Sequence, residues 1–115
     1  MALTKFDRDQ CERIVCAYIE KRRPPVHVRS KIDLAFRVTA RGVEIFEIVP
    51  SLDDVSAKFE NSVAKTTYLK SRETWQIYWQ RGNLKWQSYE PVPAVASLEE
   101  FLSVVEEDKF GCFWG

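Results

Sequence analysis

Apolar residues recur near the start of the chain at Cys11, Ile14, Val15 and Tyr18, the spacing of one helical stripe. Thr4 stands in the N-cap position, with Asp7 three residues on to complete a capping box. Lys21, Arg22 and Arg23 gather at the far end, where cations suit the helix dipole. Pro24 and Pro25 end the run, because neither ring carries an N–H. The period then changes to two. Ile32, Leu34, Phe36 and Val38 alternate with Lys31, Asp33, Ala35, Arg37 and Thr39, the pattern of a half-buried strand. Ala40-Arg41-Gly42 reads as a turn, with Gly42 supplying a positive φ. A second strand returns over 43–49 and ends at Pro50. Its alternation is imperfect, since Val43 and Ile45 share one face and Phe46 and Ile48 the other. Such a strand is buried on both faces or carries a bulge.

Residues 51–62 read as a loop with room for a short helix, and 63–69 as a third strand. The stretches 75–79 and 84–89 form a hairpin around Gly82-Asn83, a turn pair with a conformational reason behind it. A two-residue loop sets Trp79 opposite Trp86 and Ile77 opposite Ser88. Trp75, Ile77, Trp79, Leu84 and Trp86 then share one face, and Tyr78, Tyr89, Gln76, Gln80, Lys85 and Gln87 the other. Pro91 and Pro93 make a stiff linker. Ser97 caps a last helix with Glu100 in the capping-box position, and Leu98, Phe101, Leu102 and Val105 form its apolar stripe. Phe110-Gly111-Cys112-Phe113-Trp114 carries three aromatics in a short tail, which must pack on the body or on a partner. The expectation is one α+β domain over residues 1–115: an antiparallel five-stranded meander sheet, flanked by an N-terminal and a C-terminal helix, in the order α-β-β-β-β-β-α.

Composition leaves that picture standing and narrows the function. Lys plus Arg balance Asp plus Glu at 17 each, which argues against a wholly electrostatic partner. The charges are nonetheless blocked. Residues 1–41 hold ten cations and five anions, and residues 63–89 five cations and one anion, whereas 42–62 and 90–115 are acidic. Cys11, Cys16 and Cys112 are three, without a CxxC, and His27 is the single His, so zinc is not expected and no metal or other cofactor is implied. Unpaired thiols fit a reducing cytoplasm. No stretch has the length and apolarity of a membrane span or a signal core.

A set of residues spread over nearly the whole chain resembles a bacterial domain-of-unknown-function family of about this length. The set is Arg22-Arg23-Pro24-Pro25 with Arg29, Asp33-Leu34, Phe36-Arg37, Glu44-Ile45, Glu47, Ala64-Lys65, Trp75, Tyr78-Trp79, Arg81, Leu84-Lys85-Trp86, Tyr89 and Phe110-Gly111-Cys112-Phe113. The resemblance implies a bacterial origin and no assigned activity, and it lends no catalytic or binding residue. The chain departs from the family pattern at Val49-Pro50-Ser51-Leu52, where an Arg before the proline and a Trp after it are expected.

Three constellations offer chemistry. Tyr78 and Tyr89 among Gln76, Gln80, Gln87, Lys85 and nearby Arg81 suit single-stranded nucleic acid, since every base has a stackable face. The alternative is that these tyrosines only cover the sheet or join two copies. Arg22, Arg23, Arg29 and Arg37, with Lys21, His27 and Lys31, suit phosphate or carboxylate, or else form a solvated helix end. Asp33, Glu47 and Lys65 suggest a metal-dependent hydrolase of nuclease type, in which carboxylates hold a divalent ion. A three-residue turn at 40–42 pairs Phe36 with Phe46 and sets Asp33 and Glu47 as diagonal neighbours, about 7–8 Å apart at the backbone. A two-residue turn sends them to opposite faces. The longer turn is preferred because it matches the two Phe residues. The residue types favour a non-enzymatic binding module, with nucleic acid as the leading partner and a second copy as another. A hydrolase, and a regulatory protein docking through its aromatic tail, are the alternatives.

Overall fold

The computed structural model describes residues 3–51, 57–81 and 84–114. Helix α1 spans Lys5–Arg22 and starts as the sequence predicts. Thr4 Oγ1 accepts from the Asp7 N–H, and Asp7 accepts from the Thr4 N–H in return. Cys11, Val15 and Ile19 are its buried stripe. A turn of 3-10 helix, Val26–Val28, leads from the prolines to the sheet. Strands β1 (Asp33–Val38), β2 (Gly42–Pro50), β3 (Lys58–Leu69), β4 (Thr74–Gln80) and β5 (Trp86–Ser88) are neighbours in chain order, all antiparallel. The expected α+β meander is therefore present. A sixth strand, β6 (Ala94–Val95), pairs with β4 on the side that β5 uses. The proline linker is thus the return of one interrupted strand, with Ile77 accepting from the Tyr89 N–H and donating to the Pro93 carbonyl. Helix α2 (Leu98–Glu107) is capped by Ser97, whose Oγ accepts from the Glu100 N–H.

Both helices lie on one face of the sheet. Leu34, Val43, Ile45, Ala64, Trp75 and Ile77 point toward them and join Val15, Ile19, Phe101 and Val105 in a single core. β2 resolves its imperfect alternation by burial on both faces, and the bulge beside it belongs to β3, where Val63 is the extra residue between Ala64 and Ser62. Ile45 faces the helices and Phe46 the opposite side, both buried, and the pairing with β3 shifts between them at a bulge.

Three expectations are corrected. Residues 58–62 are not loop but the first half of β3, and residues 52–56 lie outside the described residues. The β1–β2 turn is the shorter one: Thr39 donates to the Gly42 carbonyl, and Phe36 faces Ile45 rather than Phe46. Thr39 Oγ1 also accepts from the Gly42 N–H, which stabilises the tight form. Gly42 is needed for close approach and not for a positive φ, because a Cβ there would collide with the Thr66 carbonyl. The β4–β5 connection is one residue longer than expected. Arg81 donates to the Lys85 carbonyl, which closes a three-residue loop, and Leu84 takes the left-handed conformation at φ 64°. Gln80 therefore faces Trp86, and Tyr78 faces Ser88. That slip exchanges faces: Trp86 moves to the polar side and Tyr89 into the core.

Candidate functional site

The basic stretch is a structural joint. Arg23 closes α1 and reaches across to β1, donating from Nε to Asp33 Oδ1 and from Nη2 to Oδ2, both at 2.8 Å. The fork geometry fixes the angle between helix and sheet. With the Arg23 guanidinium in place and the Leu34 N–H also donating, the Asp33 carboxyl is lowered to about 2. Arg22 spans the two helices, donating to Glu106 at 2.9 and 3.0 Å while its guanidinium lies 3.9 Å from the Trp114 ring centre. Glu106 also accepts from the Tyr18 hydroxyl. Arg29 turns back to the Pro24 carbonyl. Arg22, Arg23 and Arg29 thus bind their own chain, and His27 is exposed at the entry to the sheet.

The metal-hydrolase expectation is corrected by the register. Glu47 faces Leu34, so Asp33 points to the other side of the sheet. Asp33 is held by Arg23, and Glu47 accepts from the Asn61 amide. Among the described residues no group of three or more His, Cys, Asp or Glu is arranged to hold a metal ion. Arg37 pairs with Glu60 of β3.

The sheet face away from the helices is where the remaining candidates meet. Arg37 lies over the buried Phe46 ring, 4.4 Å from its centre. One strand on, Lys65 reaches between Tyr78 and Trp86, its Nζ 5.3 Å from one ring centre and 4.8 Å from the other. The Tyr78 hydroxyl donates to the Gln76 side chain on the same face. Beside this cluster the short turn leaves a shallow cleft of about 610 Å³, lined by Thr39, Arg41, Lys65, Thr67, Tyr78 and Trp86. Trp86, Arg41 and Thr67 were not expected here, since the two-residue loop implied by Gly82-Asn83 put Trp86 on the core side. Arg81 donates to Gln87 at the rim, and Lys85 is exposed nearby.

Tyr89 is removed from the candidate face, being 2% exposed, with its ring 4.9 Å from that of Phe113. Its partner explains the tail. Asp108 ends α2 in the left-handed conformation, and its carboxylate accepts from the Phe113 and Trp114 N–H groups. Trp114 Nε1 donates to the Val105 carbonyl. The tail thus docks on its own body through Phe113 and Trp114, which corrects the expectation of docking elsewhere; Phe110 stays exposed. Neither the buried Cys11 thiol nor the half-buried Cys112 thiol is poised for nucleophilic work. Burial raises Cys11 to about 11, and burial with the nearby Asp108 raises Cys112.

Among the described residues, no helix is long and apolar enough to cross a membrane. No curated protein and no solved structure matches the chain. The sequence pattern described as Domain of unknown function (DUF3024) matches residues 3–115, and the chain therefore belongs to that family.

Proposed function

We propose that the domain is a binding module that takes single-stranded nucleic acid on the open face of its sheet. The observation that carries this reading is the Lys65 ammonium set against both the Tyr78 and Trp86 rings, on a face that neither helix covers. Two half-exposed aromatic rings provide stacking surface, and each stacked base contributes about 1–3 kcal/mol. Lys65 and Arg41 supply cations to the lining of one cleft, where a phosphate can sit while its base stacks. Thr67 offers a hydroxyl to either sugar or base, while the Thr39 hydroxyl holds the turn that forms the cleft wall. The electrostatic share is local, because the chain as a whole is neutral.

The test is fluorescence anisotropy with labelled DNA and RNA single strands of mixed sequence at low salt. Trp86→Ala is expected to weaken binding about tenfold, and Lys65→Ala to lower the slope of log affinity against log salt by about one. Absence of binding at low salt, or an affinity indifferent to Trp86→Ala, would overturn the reading.

A further inference from the structure

We propose that two copies of this chain join along the outer edge of β3, with Phe59 of each on the two-fold axis. Among the described residues, the first half of β3 has a neighbour strand on one side only. β2 pairs with it down to Lys58, whereas β4 reaches only Lys65–Leu69. Lys58, Phe59, Glu60 and Asn61 are all exposed, Phe59 by 51%.

The hydrogen-bond parity says which groups the edge presents. Ser51 donates to the Ala57 carbonyl, so Val49–Phe59 and Glu47–Asn61 are the bonded pairs of the ladder. The bond from Thr39 to the Gly42 carbonyl sets the same parity on the other side of β2. Main-chain N–H and C=O of Lys58 and Glu60 therefore point outward, where an antiparallel strand would take them. The opposite edge of this ribbon is blocked. β1 extends only to Ile48, and the next outward position on that side is Pro50, which has no N–H.

Charge selects the register. A two-fold axis at Glu60 sets two carboxylates against each other, and one at Asn61 matches Glu60 with Ser62 and gains no ion pair. An axis at Phe59 pairs Lys58 of each copy with Glu60 of the other, twice. It also brings the two Phe59 rings together in the closely spaced, non-bonded position on the helix side of the sheet. The interface is isologous, as a two-fold contact must be, and a net charge of zero removes long-range repulsion between the copies.

Sedimentation velocity over a concentration series up to about 1 mM tests this, since a contact this short sits at the weak end of specific interfaces. The full chain is expected to dimerise. Lys58→Glu and Glu60→Lys should each weaken the dimer about tenfold by setting like charges opposite. Glu60 also pairs with Arg37 of its own chain, so the double reversal Lys58→Glu with Glu60→Lys is made in an Arg37→Gln background, itself expected to dimerise, and there should restore the dimer. Matching circular dichroism melts separate lost association from lost folding. A monomer at every concentration, a dimer indifferent to the single reversals, or a double variant that stays monomeric would overturn the proposal.

Discussion

Asp33 accepts two hydrogen bonds from Arg23 and a third from the Leu34 N–H, and all three favour its charged form. Its folded value of about 2 lies below the ordinary 3.8, so the unfolded chain binds the proton more readily. The stabilisation is complete above the ordinary value and is lost as pH falls through the folded one. Stability measured by urea unfolding is thus expected to drop between about pH 4 and pH 2. Asp33→Asn should remove that part of the drop and cost about 1 kcal/mol at neutral pH, a modest figure because Arg23 is partly in water. An unaltered acid limb in the variant would show that the pair carries no such weight. Among single residues the sequence was least informative here. Arg23 and Asp33 were legible as candidates for binding, but that they bind each other depends on how the Pro24-Pro25 corner folds back.

At the scale of elements, period and capping were enough for both helices and for β1, β2 and β4. The two registers were not. Each depends on whether a connection has two residues or three, and a one-residue change turns every later side chain over. Thr39 decided the first by bonding back to Gly42, and Leu84 the second by taking a left-handed φ. That conformation costs a β-carbon-bearing residue about 1–2 kcal/mol, of which a glycine's extra unfolded-state freedom takes back part. Leu84→Gly is therefore expected to stabilise the domain by about 0.5–1 kcal/mol and to raise the thermal midpoint by a few degrees. A lowered midpoint would mean that the Leu84 side chain, although 75% exposed, contributes more than its backbone strain removes. The same turn explains why Trp86 and Tyr89 were assigned to the wrong faces, and why the open-face cluster around Lys65 came into view only in three dimensions.

For the molecule as a whole, the layer order followed from the sequence, whereas the path of the tail did not. Three aromatics in a short segment signal burial without saying against what. The answer lies in Asp108, whose carboxylate turns the chain so that Phe113 meets Tyr89 and Trp114 meets Arg22. Phe113→Ala is expected to cost about 3–5 kcal/mol in chemical denaturation, a large share of a typical domain's stability. A loss under about 1 kcal/mol would show the tail to be a surface attachment. The order of synthesis gives this closure a further meaning. The ribosome releases α1 and the sheet first, while Phe113 and Trp114 are made after everything they cover. Until they arrive, the Tyr89 ring and the end of the core stand open, and neither helix can be clamped by the Arg22–Trp114 contact. The nascent domain is most exposed to misassociation at that stage, and its closure waits on the last residues of the fold rather than on the sheet or on α2.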